Sequence, residues 1–420
     1  MRLLNTSTLQ FHEYFEPIIP DYAILSHRWE AEELTYQEVL HHQNVHKAGW
    51  NKVKQCCSFA ASRGFDLVWI DTCCIDKTSS AELTEAINSM FRWYKEASEC
   101  YAYLCDVTGS HETEVQRDQA LKKSEWFTRG WALQELLAPS SVFFVANDWR
   151  TILGSVSSLA FLISAITGIG VIYLLKRKDL FSASVATRMS WMSKRQCTRI
   201  EDLAYSLMGI FNVHMPTLYG EGQTSFLRLQ LEILKMSNDE SIFAWTLPKA
   251  WMGHEGAELG LLASSPSFFY DSRGIQYEVY DSDRPPYSMT NRGLQFEPLV
   301  LPLEAPDCPQ TFQDLPLPLL VVPLNCVRLK ERVFILLQEN GDTGQANTYK
   351  RAVPEHSFDA LAAECGFDLL RTDKSRRVAN KDLYRQLIYV PQHHYHQKPI
   401  PYSTNRRLEM FLAGLGKNFK

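Results

Sequence analysis

At 420 residues, 45% of them apolar and 12% aromatic, the chain has material for one large or two packed domains, which excludes a disordered polypeptide. A net charge of −5 spread over mixed signs gives no electrostatic reason to expect nucleic acid or an anionic membrane as a partner. The ten cysteines fall mostly inside apolar runs, and the opening MRLLNTSTLQFHEYF lacks the basic-then-apolar order of a secretory signal, so reduced core thiols in a cytoplasmic protein are expected.

From Tyr22 to Trp149 short apolar strands alternate with longer amphipathic stretches, the pattern of a parallel sheet flanked by helices. YAILS, Tyr22 to Ser26, reads as the first strand, and a helical region runs from about Tyr36 to Arg63. FDLVWID, Phe65 to Asp71, is apolar on both faces and is expected in the middle of the sheet. After the loop TCCIDKTSS comes the helix AELTEAINSMFRWYKEA, with Glu82 and Glu85 near its positive end and Leu83, Ile87, Met90, Phe91 and Tyr94 on one stripe. CYAYLCD and SVFFV give third and fourth strands, separated by a polar loop over Thr108 to Lys123 and a short helix in EWFTRGWALQELLAP.

Residues 1–150 are thus expected to form an α/β core, 151–250 a helical extension and 251–420 a strand-rich domain containing GLQFEPLVLPL, LPLLVVPL and RVFILLQE. The nearly unbroken apolar run from Ser158 to Lys176 is interrupted by Ser164, Thr167, Gly168 and Gly170. It reads as a buried helix followed by a turn and a strand, with no membrane span. The tail NRRLEMFLAGLGKNFK reads as a basic surface helix.

In a parallel sheet, ligands bind beyond the carboxyl ends of the strands. That rule selects Ser26, His27, Arg28 and Trp29 after the first strand, Asp71 to Lys77 with Asp76 after the second, Asp106 after the third, and Asn147 to Trp149 after the fourth. Such a set suits a ligand with phosphates, hydroxyls and a flat ring, while a simple Asp71–Arg28 pair tying two loops together is the structural alternative. In RGWALQELLAP, Trp131 and Glu135 share a helix face opposite Leu133, Leu136 and Leu137, so the leucines are expected on the sheet with Trp131 and Glu135 directed elsewhere. Spacing alone leaves a ring-and-ribose site and a structural role both open.

No Gly-x-Gly-x-x-Gly phosphate loop is present, which argues against a Rossmann dehydrogenase. Cys73 and Cys74 lack partner spacing for a thiol hydrolase. His41, His42 and His46, on an expected helix, and His393, His394 and His396 lack companions at zinc-ligand spacing, so no metal is expected.

The strings YAILSHRW, FDLVWIDTCCIDK, ELTEAINSMFRWYKEASECYAYLCDV, RGWALQELLAPSSVFF, RIEDLAYSLMGIF and MPTLYGEG together resemble the fungal heterokaryon-incompatibility (HET) domain family over about Tyr22 to Trp245. That family in turn resembles Toll/interleukin-1-receptor (TIR) domains, which implies a flavodoxin-like sheet. Ser26 and Arg28 stand where the TIR Ser-Phe-Arg loop has its serine and arginine. WALQEL resembles the TIR Trp-Cys-x-x-Glu-Leu helix, with Ala132 in place of cysteine and Glu135 at the catalytic glutamate. The resemblance implies a cell-death effector that cleaves NAD+ as substrate, needs no cofactor, and assembles as a homo-oligomer, with an incompatibility protein as a further partner. A self-associating adaptor without enzymatic activity is the alternative.

Overall fold

The computed structural model describes residues 1–15, 17–248, 259–303, 315, 318–341, 346–352 and 384–392. The histidines from His393 onward, Cys308, Cys365 and the basic tail lie outside the described residues.

The amino-terminal half is built on a seven-stranded mixed sheet flanked by helices. Its parallel centre consists of β3 (Ala23–His27), β4 (Leu67–Trp69), β5 (Glu99–Leu104) and β6 (Val142–Ala146), in the spatial order β4-β3-β5-β6. The second parallel strand therefore lies on one side of the first and the third on the other. That is the order in which flavodoxin-like sheets begin, and it creates a topological switch point between β3 and β5. All five residues of β3 and all three of β4 are buried, as expected for strands covered on both faces.

Three antiparallel strands extend the sheet. β1 (Arg2–Asn5) pairs with β4 and with β2 (Phe11–Glu13), and β7 (Ile152–Ser155) pairs with β6. The amino-terminal hairpin was not expected, and it is what makes β4 an interior strand.

Several local expectations are corrected. The region 36–63 is two helices, α1 (Tyr36–Leu40) and α2 (Ala48–Ser62), and His41, His42 and His46 occupy the turn between them, with His42 at φ 51°. A capping box made by Thr35 and Glu38 starts α1. α3 (Ser80–Glu96) runs as anticipated from the Ser79 cap. The expected polar loop over 108–123 contains α4 (Glu114–Lys123), started by a Thr113/Gln116 capping box. EWFTRGWALQELLAP divides into a 3-10 turn, Glu125–Thr128, and the short helix α5 (Ala132–Leu137). The apolar run 158–176 forms α6 (Ala160–Thr167) and α7 (Val171–Leu174), because Gly168 at φ 76° closes the first helix and α7 begins two residues beyond it; no strand follows. Among the described residues no helix is long and apolar enough to cross a membrane.

α8 (Val185–Met192), α9 (Asp202–Tyr205), α10 (Met208–Phe211) and α11 (Thr224–Met236) form the helical block. The carboxyl-terminal half is strand-rich, led by the long hairpin of β8 (Leu319–Arg328) and β9 (Glu331–Glu339). Apolar packing is continuous between the halves, one core running from Leu3 of β1 to Val390. Buried Arg351 reaches across it to donate to the carbonyls of Phe243 and Trp245, at 2.9 and 3.2 Å.

Candidate active site

β3 ends in Ser26 and His27, both buried, and its register sets Ser26 beside Ala102 and His27 beside Tyr103 of β5. These are the last residues of the strand at the switch point. Above them opens a cleft of about 890 Å3 whose walls include Arg28, Cys105, Asp106, His111, Lys123 and Glu125. Asp106, just past the end of β5, accepts from the Ser124 hydroxyl (2.9 Å) and the Glu125 amide (2.7 Å), and so fixes the 3-10 turn over the rim. The Arg28 guanidinium pairs with Glu125 from the other side. Asp71 therefore has no ion pair with Arg28, contrary to the structural alternative read from the sequence.

Under that turn lies Glu135. The Ser26 hydroxyl donates to its Oε2 at 2.5 Å, and Trp126 Nε1 donates to Ser26 Oγ at 2.8 Å. Arg129 Nη1 stands 3.4 Å from the same carboxylate oxygen. Glu135 is 4% exposed and does not line the cleft. The expectation that its face turns away from the sheet is thus corrected: α5 has six residues, all buried, and its acid points at β3. Burial raises the Glu135 carboxyl above the ordinary range, against the opposing pull of Arg129 and the Ser26 hydrogen bond. Arg195, also buried, donates Nη1 to the carbonyl of Arg129 at 2.8 Å; burial brings its guanidinium down to about 10, although the nearby Glu135 charge works the other way.

His27 lies 3.6 Å from Glu33 and 3.7 Å from Asp71, within ion-pairing range but too far for hydrogen bonds. Asp71 Oδ1 and Arg195 Nη2 are likewise buried without a hydrogen bond. Trp29, half exposed, donates Nε1 to Asp71 Oδ2 at 2.7 Å and carries the Lys77 ammonium 3.6 Å from its ring centre. Burial favours the neutral form of Glu33, but His27 and Lys52 outweigh it and bring the carboxyl down to about 2.

Of the residues selected from the sequence, Ser26 meets Glu135, while His27 meets Asp71, which also accepts from Trp29, so the contacts form two neighbouring groups at the end of β3. Asp76 spends its oxygens within its own loop and on α1, accepting from Thr78 Oγ1 (2.6 Å) and Gln37 Nε2 (3.0 Å). Trp131 faces the helical block, where its side chain lies close to Asp202, so ring and acid do not share a pocket. The thiols of Cys73 and Cys74 are buried, and hydrogen bonding between them together with burial pushes Cys73 far up, the reverse of an activated nucleophile. Among the described residues no group of three or more potential ligands could hold a metal ion.

Three residues of this site were missed. Trp126 and Arg129 sit a few positions ahead of Glu135, and their placement depends on the 3-10 turn and bend that replace an expected continuous helix. Arg195 arrives from the helical block. There the strand-like bridge of Gln196 against Arg129 clamps residues 128–130, with Gln196 N on the Thr128 carbonyl (2.7 Å) and Gly130 N on the Gln196 carbonyl (2.8 Å). Gly130 is required by this close approach, because a Cβ there would lie 2.3 Å from Cys197 Sγ and 2.6 Å from Met192 Cε.

Residues 22–119, which supply β3, β4, β5 and most of the cleft, match the family model described as heterokaryon incompatibility protein (HET). The chain carries a HET domain. A vegetative incompatibility protein of Podospora anserina, HET-E-1, is 45% identical to it over 232 residues, which is 54% of this chain. The chain spans 17% of that relative's length. No solved structure matches the chain.

Proposed function

We propose that the chain is an effector of vegetative incompatibility whose HET domain cleaves the nicotinamide–ribose bond of NAD+, with Glu135 as the carboxylate that stabilises the oxocarbenium-like transition state. The reading rests on the relative's printed role and on one observation: the 2.5 Å Ser26–Glu135 couple stands at the switch point of the sheet, with Arg129 3.4 Å from the carboxylate. Perturbed acids at a ligand-binding rim are functional candidates. In this proposal the chain is drawn at rest, with Trp126 between Glu135 and the cleft. Assembly into a homo-oligomer shifts the 3-10 turn, and Arg28 then meets the pyrophosphate.

The 4% exposure of Glu135 favours a second reading, a self-associating adaptor in which this acid is structural. NAD+ turnover by concentrated protein separates the two. The hydrolase reading expects nicotinamide release that rises more steeply than linearly with protein concentration and is lost in Glu135→Gln while the variant remains folded. Absence of turnover at every concentration, or cell killing that survives Glu135→Gln, refutes it and leaves the adaptor.

A further inference from the structure

A second cavity lies beneath the sheet's far side, where the chain leaves α5 and enters β6. It measures about 130 Å3, and its walls include Ser140, Ser141, Ser155, Ser157 and Lys176 but no acidic residue. Lys176 follows the Leu175 cap of α7 and ends that helix in the left-handed region at φ 54°, its amide on the Tyr173 carbonyl and the Arg177 amide on the Ile172 carbonyl. Its ammonium has three donors, and one goes to the carbonyl of Leu137 at the end of α5. Among the described residues no carboxylate pairs with it.

We propose that this cavity binds a small tetrahedral oxyanion, phosphate or the terminal phosphoryl group of a phosphomonoester, between the Lys176 ammonium and the serine hydroxyls. Capping α5 accounts for one proton of Lys176, but neither for the space beside it nor for a wall that carries Ser140, Ser141 and Ser157, while Ser155 turns its hydroxyl to Ser158. The volume fits the ligand class: at roughly 30 Å3 of liquid volume per water it holds about four waters, enough for an oxyanion, whereas whole nucleotides need pockets of several hundred cubic ångströms. Electrostatics point the same way. Burial, followed by the positive charge of Lys95, presses the Lys176 amine down to about 8, and a bound anion would relieve both penalties. The inference is independent of any role for Glu135.

The test is acetylation of the full chain with an N-hydroxysuccinimide ester, read residue by residue through peptide mass spectrometry in phosphate, in glycerol 2-phosphate and in chloride of equal ionic strength. Phosphate is expected to slow labelling of Lys176 at least about fivefold relative to chloride while exposed Lys235 is unaffected. Slowing by phosphate alone supports the free ion, and slowing by both phosphates supports a phosphomonoester. The double variant Ser141→Ala/Ser157→Ala, which leaves the α5 cap in place, is expected to lose the protection. Equal rates in all three salts, or protection that persists undiminished in the double variant, would overturn the assignment.

Discussion

Replacing Glu135 by glutamine tests whether the acid at the end of β3 is a strained, functional group or a settled structural one. Two opposing quantities set the outcome. The Ser26 hydrogen bond and Arg129 favour the carboxylate, each charge-assisted contact contributing about 1.5–3 kcal/mol, whereas the effective penalty for burying an ion is several kcal/mol. The raised carboxyl pKa shows that burial wins. A group whose folded pKa lies above its unfolded value contributes stability that is intact below the unfolded pKa and is lost as pH rises through the folded one. Wild type should therefore lose stability relative to Glu135→Gln between pH 5 and pH 8, by about 1.36 kcal/mol for each unit of the upward shift. Glu135→Ala should instead lose about 2–5 kcal/mol at both pH values, since it empties a long buried side chain. Urea unfolding of the three proteins at both pH values measures this. A glutamine variant that trails wild type by a constant or growing margin as pH rises would show a fully compensated carboxylate and refute the reasoning.

Glu33→Gln should behave oppositely: with the folded carboxyl near 2, its stabilisation is present above the ordinary glutamate range and disappears as pH falls from about 4.5 toward 2, so variant and wild type should converge in acid unfolding curves. Gly130→Ala drives a methyl into Cys197 and Met192 and should cost about 1–3 kcal/mol, read as a lower denaturant midpoint. Arg284→Ala leaves Glu240 buried without its guanidinium and should cost about 3–5 kcal/mol, whereas Arg28→Ala breaks a half-exposed pair and should cost less than about 1 kcal/mol; equal losses in thermal unfolding would contradict the burial argument.

Strand content at the centre of the fold was legible because its signal is local. YAILS and FDLVWID are short, apolar and bounded by polar loops, and the rule that ligands gather at carboxyl ends led directly to Ser26, His27 and Asp71. The β1–β2 hairpin was not legible. RLLN and FHE are too short to show alternation, and β1 is held in place by β4, more than sixty residues away. The reading of Trp131 and Glu135 as one face failed for a related reason. A helical wheel assigns meaning to faces only when one of them meets solvent, and α5 is enclosed on all sides by the sheet, the 3-10 turn and the helical block, so its acid was free to turn inward. Arg195 gave no advance signal, since only the tertiary bridge from Gln196 to Arg129 carries it to the site.

Two buried acids in this chain show how structural and functional burial differ. Glu240, where the helical block meets the strand-rich half, accepts from Arg284, from the Tyr287 hydroxyl at 2.8 Å, and from the Asn325 amide and side chain at 2.7 and 3.3 Å. Both of its oxygens are engaged and its neighbours converge on it, as a joint between two halves requires. Glu135 has one short bond and one long ion pair, both to a single oxygen. Burial raises both carboxyls, so the shift alone does not distinguish them. Satisfaction does. Glu240 is held by four contacts from three residues, as a joint requires, whereas the Glu135 carboxylate at the switch point of the sheet holds one short bond and one long ion pair. The less completely engaged acid, at the rim where parallel sheets gather ligands, is the functional candidate.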